Sequence, residues 1–147
     1  MFDAEPLTLF AYLRLRSEVF VVEQDCVYSD MDDHDLHSWH LTGHDAHGRV
    51  VAALRLVPPG AKHPSPSLGR VVIAPHARGT GAGHQLVAEA LRKAAAEYPG
   101  FGHEISAQAH LQRFYGRHGF VPQGDEYLED DIPHIAMTMT AEQMAEI

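Results

Sequence analysis

The sequence predicts one α/β (α+β) domain over residues 1–147, with a mixed, mostly antiparallel central sheet flanked by helices on both faces. Its 147 residues are 45% hydrophobic, which is the size of an ordinary domain and enough to form a core. Runs rich in β-branched residues also alternate with helical apolar stripes, in the order α, ββ, β, α, β, α, ββ. The chain contains neither an internal repeat nor a low-complexity tract.

The first third of the chain predicts a helix and then a hairpin. LFAYLRLRSEVF (9–20) has apolar residues near helical spacing, and either Thr8 or Glu5 can begin this helix. SWHLTG (38–43) and RVVAALRLV (49–57) are rich in strand-forming residues, and the HDAHG between them suits a hairpin connection. These two strands are therefore expected to pair antiparallel.

The remaining elements follow from the same periodicities. LGRVVI (68–73) predicts a strand, and the one-sided apolar stripe over 84–98 predicts a helix that ends before Pro99 and Gly100. A strand over 103–109, a short helix over 111–117 and a closing strand pair over 119–124 and 133–140 complete the prediction.

Charge and composition limit the possible partners. The net charge is −9, and the acidic residues concentrate in two segments: Asp25, Asp30, Asp32, Asp33 and Asp35, and Asp125, Glu126, Glu129, Asp130 and Asp131. Such a field repels phosphate backbones, so we expect no nucleic-acid partner, whereas a cationic small molecule or a basic peptide end would be attracted. The alternative is that both segments are solvated loops.

Targeting signals and disulfides are not expected. The N-terminal stretch has no basic n-region, and no apolar run approaches the roughly 18 residues that a membrane span needs. Cys26 is the single cysteine, so the chain cannot form an internal disulfide. These features predict a cytoplasmic protein without a membrane partner.

A glycine-rich turn between strand 68–73 and the following helix is the strongest chemical signal. A dinucleotide fingerprint would need a glycine where His84 stands, and a nucleotide P-loop would need Gly-Lys-Ser/Thr where Gly83 is followed by His84. Bare backbone N–H groups at a helix start bind anions, and an arginine adds donors for phosphate oxygens. The sequence therefore predicts a pyrophosphate cradle, or else a tight connection, formed by Arg78, Gly79, Thr80, Gly81, Ala82 and Gly83.

Two motifs resemble the GNAT superfamily of acyl-CoA-dependent N-acetyltransferases. Arg78, Gly81 and Gly83 fit the family's pyrophosphate loop, Arg/Gln-x-x-Gly-x-Gly/Ala. QAHLQRFYGRHGF resembles the family's second motif, with Gln108 where Asn is usual and Tyr115 at the tyrosine position. RLRSEVFVVEQDCVYSDMDDHD, GRVV, AQAHLQRFY and EDDIPHIAM further resemble the ElaA-like branch across nearly the whole chain.

The resemblance implies the GNAT fold, with acetyl-CoA bound where two adjacent parallel strands diverge. It implies acetyl transfer to an amine, by direct attack in a ternary complex, and leaves the acceptor open. The two acidic segments favour a primary amine of a small cationic molecule or peptide as the acceptor, and we expect a monomer or homodimer. It also implies that Val71, Val72 and Ile73 use main-chain groups to pair with the pantetheine arm and polarise the acetyl carbonyl. Gln108 and Tyr115 complete the implied cofactor contacts.

The chemistry requires a base and an acid. An amine with a pKa near ~10 arrives protonated and must lose a proton, and the CoA sulfur must gain one as it leaves. Tyr115, at the family position, is the expected acid; the alternative is an aromatic residue that only packs. The base candidates are Glu104, His110, Asp130 and His134, of which His134 is preferred because imidazole titrates near neutrality. His134 could instead be one of twelve histidines without a catalytic part.

Three other functions remain open. HDLHSWHLTGHDAH could bind a metal, although strand geometry would point His37 and His40 to opposite sides. Cys26 could accept the acyl group as a nucleophile, although nothing in its surroundings indicates a lowered pKa. The domain could also bind acyl-CoA without catalysis.

Overall fold

The computed structural model describes residues 4–147, so the first three residues of the predicted domain lie outside it. The predicted order of elements is confirmed, and one C-terminal helix is added. The helices are α1 (Pro6–Arg16), α2 (Ala82–Glu97), α3 (Gln112–Gly116) and α4 (Ala141–Ala145), and the strands are β1 (Trp39–His44), β2 (Val50–Val57), β3 (Ser67–Ile73), β4 (His103–Gln108), β5 (Val121–Glu129) and β6 (Ile132–Met139).

Two elements extend beyond the boundaries predicted from sequence, and one helix was not predicted. Glu5 caps α1 by accepting from Thr8 N at 3.0 Å, and α1 continues as a π-helix over Ser17–Glu23. The strand predicted over 119–124 extends to Glu129. The sequence analysis missed α4, which begins with a Thr-x-x-Gln capping box that a motif search could have found.

Two antiparallel sheets meet at the start of β3 and β4. The strand orders are β1-β2-β3 and β4-β6-β5. Glu104 N donates to Pro66 O at 3.2 Å, and Leu68 N donates to the ring Nε2 of His103 at 2.8 Å. Beyond this shared start, no other backbone hydrogen bond joins β3 to β4 within residues 4–147. The two strands therefore part as they run on, which opens a gap between the sheets.

Helices cover both faces of the first sheet, as predicted. In β2, Leu54 and Leu56 face the core cluster that contains α2, whereas Val51 and Ala53 face the cluster that contains α1. Successive side chains of a strand point to opposite faces, so a nearly continuous apolar strand is buried on both sides. β2 is therefore fixed between two layers of helices. Because β3 pairs with β2, this also fixes the position of β3 at one side of the gap.

A buried arginine ties α1 to the first acidic segment. Arg16 is fully buried, and its guanidinium donates to both carboxylate oxygens of Asp35 at 2.8 and 3.2 Å and to Asp30 Oδ2 at 2.8 Å. Burial alone would raise the pKa of Asp35, but the hydrogen bonds and charge of Arg16 outweigh it and hold the pKa at about 2. Asp35 is therefore ionised at neutral pH.

Two further arginines complete this network. Arg55 of β2 donates to both oxygens of Asp32 at 2.6 and 3.1 Å, and Arg70 of β3 donates to the main-chain oxygen of Asp30 at 3.0 Å. The first acidic segment is thus neither a solvated loop nor an unpaired acidic field, because three of its aspartates are bound by arginines. Asp25, Asp32 and Asp33 are its exposed members, and of these Asp32 is the one bound by an arginine.

Removal of the Asp35 charge should destabilise the fold. Asp35→Asn leaves the buried Arg16 charge without its main partner, and we expect a loss of about 3 kcal/mol in the free energy of unfolding. Asp33→Asn removes the same charge from an exposed position in the same turn and should change stability by less than about 0.5 kcal/mol. Urea unfolding at pH 7 measures both variants, and equal midpoints would show that the buried network is not a structural anchor.

Candidate active site

A cavity occupies the gap between β3 and β4. Its other walls are the segment that follows the π-helix and the hairpin that joins β5 to β6. Five of the site residues and base candidates predicted from sequence lie together in its lining: Val71, Gln108, Tyr115, Asp130 and His134. The strands thus bring together residues that are far apart in the chain.

A β-bulge shapes the β3 wall of the cavity. Ala53 pairs with Val72 and Arg55 pairs with Gly69, so Arg70 and Val71 both stand opposite Leu54. Arg70 accordingly adopts a positive φ of 49°. Bulges of this kind take backbone groups out of a ladder and often stand beside active sites. Val71 is the one of the three predicted β3 residues whose side chain lines the cavity.

Val72 and Ile73 pack elsewhere. Val72 is buried in the cluster that contains α1, and the Ile73 side chain packs against the cluster that contains α2. This agrees with the expectation that their side chains only pack.

The glycine-rich turn precedes α2, outside the residues that line the cavity. Gly79 and Gly81 have φ values of 79° and 86°, a left-handed conformation that favours glycine. The first backbone bond of the helix runs from Gln85 N to Gly81 O at 3.1 Å. The N–H groups of Ala82, Gly83 and His84 therefore have no helical partner, as an anion cradle requires.

The three glycines of the turn have different surroundings. A Cβ at Gly83 would lie 3.3 Å from the Phe114 ring, so this glycine allows α2 to approach α3. A Cβ at Gly79 or Gly81 would meet no heavy atom within 4 Å. Thr80 stabilises the turn, because its hydroxyl donates to Ala77 O at 2.6 Å.

Arg78 is bound to the end of the π-helix. Its Nη1 and Nη2 lie 2.9 and 3.0 Å from the two carboxylate oxygens of Glu23, and its Nε donates to Ile73 O at 3.1 Å. Next to Glu23, Gln24 accepts from Gln108 Nε2 at 3.4 Å. The π-helix end thus contacts two of the residues predicted to bind the cofactor.

Tyr115 faces the cavity from α3. Its ring makes edge contacts with Phe114 and Phe120, at centroid distances of 5.0 and 6.0 Å. Its hydroxyl makes no hydrogen bond to any side chain or backbone group within the described range 4–147. Burial raises the pKa of Tyr115, so the hydroxyl remains protonated at neutral pH. Both the predicted packing and a free donor are therefore present at this residue.

The structure separates the four base candidates. Glu104 lies 3.5 Å from the His63 ring, and neither Glu104 nor the exposed His110 lines the cavity. Asp130 and His134 do line it. His134 is buried, with Nδ1 2.7 Å from Ile132 O and Nε2 3.4 Å from Glu129 Oε2.

Glu129 is a cavity residue that the sequence analysis did not assign to the site. It ends β5, and β6 begins at Ile132 after a two-residue turn. Asp130 and Asp131 both have positive φ, 50° and 63°, which is typical of the type I′ turns that close tight hairpins. In the sequence, the adjacent Asp130 and Asp131 between strand-forming residues are the signal from which this hairpin could have been predicted.

The structure also describes the surroundings of the histidines and the cysteine considered for a metal site and for a nucleophile. Among the side chains described from residue 4 onward, no group of three or more His, Cys, Asp or Glu is placed to hold a metal ion. His40 instead bonds the Tyr12 hydroxyl at 2.5 Å and Asp35 O at 2.8 Å. Cys26 lines the cavity, with Sγ 4.0 Å from Asp130 O. No helix in the described part of the chain is long and apolar enough to cross a membrane.

Comparisons with known proteins agree with this geometry. The family model of the acetyltransferase (GNAT) domain matches residues 11–141. A UPF0039 protein of Synechocystis is 48% identical over 125 residues, 85% of this chain and 81% of that protein. The crystal structure of an acyl-CoA N-acyltransferase from Pseudomonas aeruginosa has a TM-score of 0.85 and 44% identity and covers 94% of both chains.

The ElaA protein of Escherichia coli is similar in both sequence and structure. It is 38% identical over 135 residues, which are 88% of this chain and 85% of ElaA. Its crystal structure has a TM-score of 0.85 and covers 93% of both chains. The family match over most of the chain and these relatives show that the chain belongs to the GNAT family of acyl-CoA-dependent N-acyltransferases, in the branch that includes ElaA.

Proposed function

We propose that the protein transfers an acetyl group from acetyl-CoA to a primary amine of a small cationic molecule or peptide, by direct attack in a ternary complex. The observation that carries the proposal is the cavity between the parted strands, which has the bulged Val71 and the Tyr115 hydroxyl on its walls. Both a carbonyl-polarising backbone and a proton donor are needed where a thioester is cleaved.

The cofactor would extend from the glycine turn into the cavity. The free N–H groups at the start of α2 suit the pyrophosphate, and Arg78 would exchange its Glu23 partner for phosphate oxygens. The pantetheine arm would pass between β3 and β4, beside Gln108, and bring the thioester to Val71.

The acyl transfer then needs two proton movements. Val71 N–H would stabilise the oxyanion that forms when the amine attacks the carbonyl carbon. Tyr115 would donate a proton to the CoA sulfur as the C–S bond breaks, and His134 would be the base to which the proton of the incoming ammonium finally passes. The raised pKa of Tyr115 keeps its proton available for the sulfur.

The second acidic segment supports a cationic acceptor. Glu129 and Asp130 line the cavity, and Asp131 accepts from the Tyr28 hydroxyl at 2.9 Å at its rim. Because arginines bind three aspartates of the first acidic segment, we assign the attraction for a cation to the second segment alone.

An acceptor panel tests the proposed reaction. Polyamines, aminoglycosides, amino acids and peptide N-termini are each incubated with acetyl-CoA, and release of free CoA is measured. We expect release that depends on a cationic amine. If acetyl-CoA binds but no amine releases CoA, the protein is an acyl-CoA-binding module and the proposed reaction is wrong.

A carboxylate in the turn before α2 should weaken cofactor binding. Gly81→Asp places a negative charge beside the expected pyrophosphate, and we expect acetyl-CoA affinity to fall about 10²-fold or more. Gly100→Asp is the matched control, because Gly100 has the same φ of 86° and equally open space. Gly100 follows α2, so its variant carries the same strain and charge away from the cradle. Calorimetry measures the affinity of both variants for acetyl-CoA. Equal affinities would show that the turn before α2 does not bind the pyrophosphate.

Loss of the Tyr115 hydroxyl should slow turnover without loss of binding. Tyr115→Phe keeps the ring contacts, so acetyl-CoA affinity should stay within a few-fold while kcat falls about 10²-fold, the usual scale for a lost general acid. Tyr98→Phe, at a partly buried tyrosine outside the cavity, is the control. Steady-state rates at saturating acceptor measure the effect. Wild-type kcat in Tyr115→Phe would leave this residue only a packing role.

A further inference from the structure

Glu129 lines the cavity and contacts His134 of β6 and Ser106 of β4. Its Oε2 lies 3.4 Å from His134 Nε2, and its Oε1 accepts from the Ser106 hydroxyl at 3.1 Å. The Tyr127 hydroxyl is hydrogen-bonded to the same Ser106 oxygen, and the Tyr127 ring stacks on His134 at a centroid distance of 6.3 Å. Three adjacent strands thus hold one carboxylate in a fixed orientation.

The two ring nitrogens of His134 have different surroundings. Nδ1 lies 2.7 Å from Ile132 O, and because a carbonyl oxygen only accepts, Nδ1 carries the hydrogen of this bond. Nε2 is the remaining nitrogen, and it faces Glu129. The nitrogen of His134 that can accept a proton is therefore directed at the Glu129 carboxylate.

Glu129 is also the more accessible member of the pair. Its side chain is 37% exposed, whereas that of His134 is 9% exposed. Both residues line the cavity. The carboxylate is therefore the more accessible proton acceptor of the two for an ammonium group that enters the cavity.

We propose that Glu129 is the catalytic residue that receives the proton of the acceptor ammonium and passes it to His134 Nε2. The inference rests on the proposed acyl transfer. The N–H bond of the ammonium breaks as an O–H bond forms on Glu129, and that O–H bond then breaks as the Nε2–H bond forms. The freed amine attacks the thioester and loses its second proton to solvent. The CoA sulfur receives its proton from Tyr115, which is reprotonated from solvent, and the proton on His134 also returns to solvent.

The charged surroundings of Glu129 bear on any pH dependence. Lys62, Arg55 and Arg70 line the same cavity as cations, and Asp30 and Asp130 line it as acids. Arg55 and Arg70 are engaged by Asp32 and Asp30. Glu97, at the end of α2, is the matched control, because its side chain is 39% exposed, pairs with Lys93 at 3.0 Å and lies outside the cavity.

The test compares Glu129→Gln with Glu97→Gln over a pH range, with the best acceptor of the amine panel. Glu129→Gln should lower kcat about 10²-fold at pH 7, the scale of a lost general base, with acetyl-CoA affinity unchanged within about twofold. The difference in kcat from the wild type should shrink as pH approaches the ammonium pKa near ~10, because a free amine needs no base. Glu97→Gln should keep kcat within about threefold.

Further variants separate a relay from a structural role. If protons pass through both residues, Glu129→Gln combined with His134→Gln should be little slower than either single variant, because both remove the same path. Glu129→Asp keeps the negative charge but shortens the side chain, so its kcat should also be low. Circular dichroism should show that this variant is folded. This variant keeps the test decisive if Glu129→Gln unfolds.

Several results would overturn the inference. They are equal rates for Glu129→Gln and wild type, a deficit that is constant with pH, or multiplicative losses in the double variant. If the wild-type protein binds acetyl-CoA but acylates no amine, the proposed function fails, and the proton relay fails with it. A Glu129 variant with wild-type rates would instead leave the acyl transfer intact.

Discussion

The pairing of buried arginines with aspartates is the interaction on which the site depends. Arg16 is fully buried, and a cation without water around it is tolerated only where carboxylates neutralise it. Asp30 and Asp35 supply that charge, and Arg55 and Arg70 bind the same acidic segment. The segment between the π-helix and β1 is therefore held against the sheet, where Tyr28 and Asp30 line the cavity.

The second constraint is the parting of β3 from β4. Bonds at their shared start fix the two sheets together, while the bulge at Arg70 and Val71 and the absence of further ladder bonds beyond that start, within residues 4–147, leave the later halves apart. Polar groups of both strands then face a cavity instead of each other. Tyr115 comes from α3 and Glu129 from the hairpin, so the proposed acid and the proposed base reach the same cavity from separate elements.

The sequence could predict what local patterns encode. The strand and helix order follows from apolar periodicity, and the turn before α2 follows from its glycines, of which Gly79 and Gly81 have a positive φ in the structure. The sequence could not predict contacts between distant residues, such as Arg78 with Glu23, 55 positions away, or Ser106 with Glu129, 23 positions away. The side of the hairpin on which Glu129 lies depends on strand register, which a short mixed segment specifies weakly.

The central claim is that acyl-CoA binds between β3 and β4 with its thioester at Tyr115, and a crystal structure of the protein with CoA tests it most directly. The account predicts the pyrophosphate on the N–H groups at the start of α2, and the pantetheine arm inside the cavity. It also predicts the sulfur within hydrogen-bonding distance, about 3.5 Å, of the Tyr115 hydroxyl. CoA bound outside this cavity, or with its sulfur directed away from Tyr115, would contradict the account.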